Sequence, residues 1–353
     1  MPAWIIRLRR FFASFLAGTL LAANGAAAFD YNYEAAEPRF ENVSLEAGVE
    51  HIYGGSWEHF TGGGVAAFDC DRDSDADLFF AGGANPAQLF RNDSSKDGGL
   101  AFTALGDAAP HDKGATGAYP LDVDGDGHMD LVVLRIGANR FYRGLGACRF
   151  EASENRFNFD GGAEWTTAFS ATWENDNRFP TLAFGNYVNR HAWAATHTAF
   201  GVDDQNRKSG LNTCLDNYLL RPAGLPAQHF AAPVTLTPGF CALSILFSDW
   251  DRSGRRDLRI SNDQYYYLPP GEEQLWHLAP EPTLYSPEEG WQKVNIWGMG
   301  IASHDVTGDG YPDYFLTNMM ANKLVTLGDN PSAGPRYVDM AGPAGVMAPH
   351  PYA

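Results

Sequence analysis

A nine-residue, aspartate-rich segment recurs along this 353-residue chain, each time between two apolar runs. The clearest copy is residues 122–130, Asp-Val-Asp-Gly-Asp-Gly-His-Met-Asp, which precedes Leu131-Val132-Val133. The other copies are residues 69–77 (DCDRDSDAD), 249–257 (DWDRSGRRD) and 305–313 (DVTGDGYPD). Four copies make chance a poor explanation, so the chain is built from repeats.

The spacing of oxygen-bearing side chains in each segment suits a hard cation. They stand at positions 1, 3, 5 and 9, and a flexible residue occupies position 6 in most copies. Ca²⁺ takes about six to eight oxygen ligands, and the main-chain carbonyl at position 7 can supply one of them. We therefore expect Ca²⁺ as the cofactor of four loops. The expected ligand residues are Asp69, Asp71, Asp73, Asp75, Asp77, Asp122, Asp124, Asp126, His128, Asp130, Asp249, Asp251, Ser253, Asp257, Asp305, Thr307, Asp309, Tyr311 and Asp313.

The EF-hand opens with a similar pattern but is excluded. It needs a bidentate Glu at position 12 and a helix on each side of the loop. Position 12 here is Phe80, Val133, Ile260 or Leu316, none of which can bind a metal ion. The apolar flanks are typical of strand, turn and strand.

The four loops are expected to differ in affinity for Ca²⁺, since affinity follows ligand charge and loop fit. Loops 69–77 and 122–130 each carry a net charge of −4, and loop 305–313 carries −3. In loop 249–257 three arginines cancel three aspartates, and Ser253 replaces a carboxylate. We rank loop 122–130 strongest and loop 249–257 weakest. Ser74 at position 6 is a modest handicap for the first loop.

The distances between the loops predict the architecture. The starts lie 53 residues apart from 69 to 122 and 56 apart from 249 to 305, while the gap of 127 between them leaves room for two units. A degenerate copy, residues 173–181 (WENDNRFPT), keeps the apolar flanks and loses the ligands. Five units of about 50 residues are typical of β-propeller blades, which must stack to bury both faces of each sheet. The predicted fold class is all-β.

Turn residues divide each unit into short strands. The predicted strands are 65–68, 78–81, 88–91 and 101–104 in the first unit, and 298–303, 314–317, 323–326 and 336–338 in the fifth. Residues 190–240 are predicted to form a long irregular insertion. Such a segment is either a functional loop or surface decoration, and the sequence leaves both open.

The aspartate loops are joined by further motifs: Gly62-Gly63-Gly64-Val65, Trp297-Gly298-Met299-Gly300-Ile301 and Leu316-Thr317-Asn318-Met319. Together they resemble the FG-GAP/VCBS repeat family, the blades of the integrin alpha head. They resemble more closely the bacterial relatives of cartilage acidic protein, which often end in an ASPIC/UnbV domain. The resemblance spans roughly residues 39–345. It implies a β-propeller, calcium in the loops between strands, an extracytoplasmic location and mostly non-catalytic roles.

The number of blades departs from that family, whose propellers usually have seven. Residues 40–49 resemble residues 337–346, since each would be an outer strand followed by Ala-Gly-Val, yet only the first copy leads into a blade. We therefore expect an incomplete seven-bladed ring, whose open edges would favour self-association. The alternative is a small closed ring of five blades.

The N-terminus is predicted to be a signal peptide covering residues 1–28. Three arginines precede an apolar run from Phe11 to Ala23, and Ala26-Ala27-Ala28 provides a small-residue cleavage site. The run is shorter than the about 20 residues that a membrane span needs. The mature domain would be residues 29–353, secreted or periplasmic, with no membrane span.

Loss of that segment would take the net charge from −18 to −21. So acidic a chain is a poor partner for nucleic acid. Four cysteines in an exported chain permit disulfides. Cys214–Cys241 is the favoured pair because it brackets part of the insertion. Cys70, at position 2 of the first loop, and Cys148, on an expected outer strand, are either paired or small buried thiols.

Function is the least determined property. The sequence has no Gly-x-Ser-x-Gly elbow, zincin helix or Cys-His signature, and a carboxylate bound to Ca²⁺ makes a poor general acid. A non-catalytic interaction or adhesion scaffold for a protein or glycan partner is favoured over an enzyme. The alternative is a carbohydrate-binding or polysaccharide-degrading propeller. Aromatic residues could stack on its sugars or form inter-blade core: Trp250, Trp276, Trp291, Trp297 and Tyr265-Tyr266-Tyr267.

Overall fold

A computed structural model describes most of the chain from residue 39 onward. The described residues are 39–106, 109–174, 177–190, 197–198, 201–202, 214–224, 228–263, 271–279, 281–328 and 330–347. The chain divides into two units, Met1–Asn42 and Val43–Ala353, and the account below concerns the second. The predicted signal peptide and residues 265–267 lie outside the described residues.

The second unit contains five four-stranded antiparallel sheets, called blades 1 to 5 here in chain order. Blade 1 is β1 (Val65–Phe68), β2 (Asp77–Phe80), β3 (Gln88–Asn92) and β4 (Phe102–Ala104). Blade 2 is β5 (Ala115–Leu121), β6 (Asp130–Arg135), β7 (Arg140–Gly144) and β8 (Phe150–Ala152). Blade 3 is β9 (Thr166–Thr172), β10 (Thr181–Asn186), β13 (Asn217–Leu220) and β14 (Val234–Leu236), with the short hairpin β11 (His197–Thr198) and β12 (Gly201–Val202) between β10 and β13.

The last two blades repeat the pattern. Blade 4 is β15 (Ala242–Ser248), β16 (Asp257–Asn262), β17 (Gln274–His277) and β18 (Thr283–Leu284). Blade 5 is β19 (Gly298–His304), β20 (Asp313–Asn318), β21 (Lys323–Leu327) and β22 (Tyr337–Asp339). Within the described residues, helix is limited to α1 (Glu154–Phe157) and three single 3₁₀ turns, Trp57–His59, Pro287–Glu289 and Pro331–Ala333. No helix there is long and apolar enough to cross a membrane.

The predicted all-β propeller class is confirmed, and the predicted strands of blades 1 and 5 agree with the observed ones to within about two residues. The degenerate copy at 173–181 also lies between two paired strands, β9 and β10. The structure differs at the predicted insertion, residues 190–240, because β13 and β14 lie inside it and complete blade 3. Their turn-rich flanks concealed them.

The hydrophobic core lies between consecutive blades rather than inside any one of them. Phe79 and Leu89 of blade 1 pack with Leu131 and Val133 of blade 2. Three further interfaces follow the same plan between blades 2 and 3, 3 and 4, and 4 and 5. Trp250, Trp276 and Trp291 are buried in them, and Trp297 is half-buried. Because each sheet is covered by its neighbours, the blades stabilise one another as stacked repeats do.

The first strand of each blade is called its inner strand here. The inner strands of blades 2 to 5 share a bulge near their first residue, at Thr116, Thr167, Leu243 and Met299. Two of these residues reach the next blade. The hydroxyl of Thr116 donates to the carbonyl of Thr166 (2.9 Å), and that of Thr167 donates to the carbonyl of Ala242 (2.6 Å). A bulge re-aims a side chain, and here it links neighbouring inner strands.

A side-chain latch closes the hairpin between the second and third strands in four blades. The residue that lies five positions after position 9 of the loop donates its main-chain N–H to a side-chain oxygen at the start of the third strand. The acceptors are Asn139, Asn217 and Asn322 in blades 2, 3 and 5, at 2.8, 2.8 and 3.1 Å, and Glu273 in blade 4, at 2.8 Å. Blade 4 is thus the exception, with an ionisable group where the others have an amide.

Two disulfides are present. Cys214–Cys241 confirms the predicted pair. Cys70–Cys148 also forms and joins the first loop to blade 2. Cys148 lies in the turn before β8 rather than on the outer strand itself, because Ala147 and Cys148 adopt left-handed backbone conformations.

The inner strands of the first and last blades are more exposed than those between them. Val65 of β1 is 54% exposed, and residues 302–304 of β19 are exposed, whereas β5, β9 and β15 are buried or half-buried throughout. Stacking in chain order accounts for this gradient. Self-association through these strands stays a prediction.

Candidate metal-binding loops

The four aspartate loops share one backbone conformation. Positions 4 and 6 both lie in the left-handed region in every loop, with φ between 59° and 88°. Position 4 is Arg72, Gly125, Arg252 or Gly308, and position 6 is Ser74, Gly127, Gly254 or Gly310. Glycine adopts this region freely and other residues do so at a cost. Loop 122–130 meets the requirement with glycine at both positions.

The aspartate at position 1 holds this conformation by accepting main-chain hydrogen bonds. Its Oδ2 accepts the N–H of position 6 in all four loops, at 2.9 Å for Asp69, 2.8 Å for Asp122, 3.1 Å for Asp249 and 2.9 Å for Asp305. A side chain that satisfies a backbone donor within a turn pre-forms the turn. The loops are therefore shaped by the sequence itself.

The residue at position 5 braces the other side of each loop. Oδ1 of Asp73, Asp126 and Asp309 accepts the N–H of position 7 at 2.8 Å, and Oγ of Ser253 does so at 3.3 Å. The position-7 residues are the predicted ligands Asp75, His128 and Tyr311, with Arg255 in the fourth loop. The His128 ring lies beside Gly146, and the Tyr311 ring lies under Arg252 at 5.6 Å, so both side chains turn to neighbouring residues.

The aspartate at position 9 connects the loop to the blade. Asp130 is fully buried; its Oδ2 accepts the N–H of Val123 and its Oδ1 that of Gly144, both at 2.8 Å. Asp77 does the same with Cys70 (2.7 Å) and Asn92 (2.8 Å). Burial raises the pKa of Asp77 and raises that of Asp130 to about 7, despite these two hydrogen bonds. A nearby cation would offset that cost of burial.

Two of the four loops bring three carboxylates together. Oxygen atoms of Asp69, Asp71 and Asp77 lie within 4.8 Å of one another, as do those of Asp122, Asp124 and Asp130. In the described part of the chain, Asp249, Asp251 and Asp257 do not form such a group. The predicted residues at positions 1, 3 and 9 thus converge in loops 69–77 and 122–130.

The first loop fits a hard cation by a second observation. Oδ1 of Asp71 is buried and has no hydrogen-bond partner among the described residues. Burial, followed by the charge of Asp73, raises the pKa of Asp71. An unpaired, buried carboxylate oxygen beside two other carboxylates is costly unless a cation binds there. The residues present are therefore suited to holding Ca²⁺.

Loop 305–313 has a mixed set of donors. Oδ2 of Asp313 accepts the N–H of Val306 (2.9 Å) and both the N–H (3.0 Å) and the hydroxyl (3.1 Å) of Thr307. Oδ1 of Asp313 is buried and has no hydrogen-bond partner in the described ranges. Oδ1 of Asp313 therefore remains without a partner, whereas the side chain of Thr307 at position 3 bonds within the loop.

In loop 249–257 protein donors occupy one oxygen of the position-9 carboxylate, while Oδ1 of Asp249 is buried without a hydrogen-bond partner among the described residues. Oδ2 of Asp257 accepts hydrogen bonds from Trp250 Nε1 (2.8 Å) and Tyr285 Oη (2.6 Å). Arg256 approaches Asp249 to 4.0 Å. These partners, together with the loop's arginines, favour a site that binds a cation weakly.

Arginines near the loops were missed by sequence reasoning. Arg143 of β7 donates through Nε to Oδ2 of Asp124 at 2.8 Å and through Nη2 to Asp126. Arg91, at the same place on β3, instead donates to Asp93 (2.7 Å) rather than to a carboxylate of the first loop. An alignment of the third strands of the blades, with their fourth residues compared, could have revealed Arg143 as a cation that competes for the carboxylates of the second loop.

A second set of arginines joins one loop to the next. Arg72, at position 4 of the first loop, donates to the carbonyl of Gly127, at position 6 of the second. Arg252, also at position 4, lies over the ring of Tyr311 in the fifth blade's loop. The first loop therefore contacts the second, and the loop of blade 4 contacts that of blade 5.

A comparison with known protein families agrees with the repeat at the first two loops. Residues 69–133, which include the first two loops, match the FG-GAP-like repeat family. The five sheets are β-propeller-like blades consistent with that family. No curated protein matches the chain. The closer resemblance to ASPIC/UnbV-type proteins stays a prediction.

Two solved structures are similar to the chain at low identity. One is an Agrocybe aegerita lectin solved for its recognition of non-reducing terminal N-acetylglucosamine, with 13% identity and a TM-score of 0.40 over 79% of this chain and 65% of the lectin chain. The chain therefore spans just under two thirds of that lectin. The other is BBS1N in complex with ARL6DN, with 11% identity and a TM-score of 0.39 over 75% of this chain and 78% of that one. The fold is defined by the five sheets of this chain itself.

Proposed function

We propose that the protein is an exported propeller that binds Ca²⁺ in its inter-strand loops and serves as a non-catalytic interaction scaffold. The convergence of three carboxylates in loop 69–77, with one unpaired and buried oxygen, carries the proposal. The same convergence recurs in loop 122–130 at the matching positions. Two sites of one design indicate a property of the repeat.

Calcium would act as a structural ligand in these loops. Each loop joins the first and second strands of one blade, and Arg72 connects the first loop to the second. When bound, Ca²⁺ supplies positive charge to carboxylates that otherwise repel one another. The chain's own residues supply the shape, since positions 1 and 5 hold the turn. Metal binding and folding should then be coupled.

The two disulfides support export, because disulfides persist in oxidising compartments. Their formation would leave no free cysteine among the described residues. A scaffold outside the cytoplasm meets Ca²⁺ at concentrations that weak to moderate sites can use.

The experiment is a calcium titration of the mature chain by calorimetry, with thermal melts in calcium and in chelator. We expect at least two bound ions and a clear loss of melting temperature in chelator. Asp122→Asn should remove one ion, and the control Asp97→Asn, at an exposed position between β3 and β4, should remove none. Equal binding by both variants, or melts that chelator does not change, would overturn the proposal.

A further inference from the structure

Blade 4 carries a charge where the other blades have an apolar residue. The second residue after the last loop position is Phe79, Val132, Ala183 or Phe315 in blades 1, 2, 3 and 5. In blade 4 it is Arg259, which is only 1% exposed. An arginine at an inter-blade position costs free energy unless something compensates its charge.

Aromatic rings provide part of that compensation. The Arg259 guanidinium lies 4.3 Å from the ring centroid of Tyr314, 4.9 Å from that of Tyr337 and 5.5 Å from that of Trp291. Attraction to the ring faces is favourable, most of all in a desolvated site. It does not satisfy the N–H groups, since Nε and Nη1 are buried without a hydrogen-bond acceptor among the described residues.

Glu273, a buried carboxyl on which the charge of Arg259 acts, is not the missing acceptor. Glu273 Oε1 accepts from the N–H of Asn262 (2.8 Å) and the hydroxyl of Ser261 (3.2 Å). Burial raises the pKa of Glu273 to about 7, although the charge of Arg259 lowers it. Near neutral pH this group is therefore a weak counter-charge. The guanidinium keeps donors to spare.

Arg259 lines a cavity of about 270 Å³ between blades 4 and 5. Trp291 and Tyr337 supply ring surfaces to its wall, and Gln292 and Asn295 supply amides. The cavity is slightly smaller than the about 300–1,000 Å³ of pockets for drug-sized ligands, so it suits a single ring.

The lining is locally basic in a chain of net charge −18. Lys293 and Lys323 line the cavity with Arg259, against one acid, Asp339. The two lysines already have carboxylate partners, Glu272 at 3.9 Å and Asp339 at 2.8 Å. Arg259 is the cation of the three whose Nε and Nη1 donors have no protein acceptor among the described residues.

We propose that this cavity binds a carboxylate carried on a single sugar or aromatic ring, with the guanidinium of Arg259 as its anion-binding group. The planar guanidinium matches a carboxylate in shape and charge better than an ammonium does. The ring of the ligand would pack on Trp291 and Tyr337. The site shares no residue with the aspartate loops and does not depend on metal binding.

The first experiment is a titration of the full chain with glucuronate, benzoate and glucose at low ionic strength, followed by calorimetry and by thermal melts. We expect saturable binding of at least one carboxylate, a higher melting temperature with it, and no binding of glucose. Glucuronate alone would identify a sugar-borne acid, benzoate alone an aromatic acid, and both the carboxylate itself. Binding of neither acid, or equal binding of glucose, would overturn the proposal.

The second experiment replaces the arginine. Arg259→Leu restores the residue type of the other blades and should fold, because it removes an unpaired buried charge. Affinity for the carboxylate should fall about tenfold or more, the effect of losing a charged hydrogen bond. The control Arg156→Gln changes an exposed arginine of α1 and should bind as the original chain does.

A purely structural arginine would give a different result. Arg259→Leu would then lower the melting temperature, and the original chain would not respond to carboxylate. Should Arg259→Leu fail to fold, Arg259→Lys decides the matter, because it keeps the charge and loses the planar donors. Weaker binding by Arg259→Lys supports the proposal, and unchanged binding contradicts it.

Discussion

Blades 2 and 4 share a four-stranded topology and the same loop backbone conformation, yet the side chains of their loops make different contacts. Loop 122–130 directs Asp122, Asp124 and Asp130 to one point, while Asp257 of blade 4 bonds Trp250 and Tyr285. Blade 2 closes its hairpin with Asn139, and blade 4 does so with the ionisable Glu273. The repeat thus sets the backbone of the turn, whereas the surroundings of position 9 decide whether the carboxylates of the loop converge.

The largest difference is expected from removal of the aspartate at position 9. Asp130→Ala leaves the N–H groups of Val123 and Gly144 buried and unpaired, which should cost about 4 kcal/mol of unfolding free energy. Asp257→Ala should cost about 1–2 kcal/mol, because Trp250 Nε1 and Tyr285 Oη still bond each other at 3.0 Å. Urea unfolding in chelator measures both without a metal contribution. Equal losses of unfolding free energy in Asp130→Ala and Asp257→Ala would contradict this difference between blades 2 and 4.

The next largest difference between the two loops should be the stability that each gains from calcium. At about a hundredfold excess over the dissociation constant, one site adds about 2.7 kcal/mol to the free energy of unfolding. Asp124→Asn should remove such a contribution from blade 2, and Asp251→Asn should leave the calcium-dependent gain unchanged. The measurement is the rise in urea midpoint between chelator and calcium. A loss in Asp251→Asn alone would reverse our ranking of the loops.

One buried carboxyl in blade 4 should make the free energy of unfolding higher at pH 5 than at pH 7. The pKa of Glu273 is raised from 4.5 to about 7 in the folded chain by burial. The folded state therefore holds this proton more tightly than the unfolded state, and stability falls as pH rises between these values. We expect a loss of about 2 kcal/mol from pH 5 to pH 7 from this group. The charge of Arg259 lowers this pKa, and its effect is already contained in the value of about 7.

Glu273→Gln isolates the effect, because the glutamine oxygen can still accept the N–H of Asn262. The variant should gain stability over the original chain as pH rises from 5 to 7. Asn139→Asp would place a carboxyl at the matching latch of blade 2 and should introduce a similar dependence there. A constant difference between Glu273→Gln and the original chain across this range would contradict the assignment.

The smallest effect concerns the left-handed residues of the loops. Ser74 has φ 76° at position 6, where blades 2 and 4 have glycine. Ser74→Gly should stabilise the chain by about 0.5–1 kcal/mol, since only glycine adopts this region without strain. Ala76→Gly, two residues later at an ordinary backbone conformation, should lose stability. Thermal unfolding in chelator resolves the two, and a loss in both would count against strain at Ser74.

Much of the fold was predictable because it depends on local pattern. The aspartate loops and their apolar flanks located β1, β2, β19 and β20, and even the degenerate copy at 173–181 marked its hairpin correctly. What the pattern could not give was structure without a motif. β13 and β14 follow no aspartate loop, so proline and glycine nearby suggested an irregular segment instead.

The candidate site was predictable in identity and less so in geometry. Positions 1, 3 and 9 follow from the chemistry of oxygen ligands, but the pairing of Asp257 with Trp250 and Tyr285 depends on contacts distant in sequence. The second left-handed residue, at position 4, was hidden because Arg72 and Arg252 occupy it in two loops. Arg259 was visible in the repeat register, since the corresponding residues of the other blades are all apolar.

The Cys70–Cys148 bond has a consequence for how the chain is made. It joins residues 78 apart, one in the first loop and one in the turn before β8. As the chain emerges from N- to C-terminus, blade 1 waits for nearly all of blade 2 before this link can close. The first loop therefore reaches its covalently fixed form only after the second loop has been synthesised, because no other cysteine lies between Cys70 and Cys148.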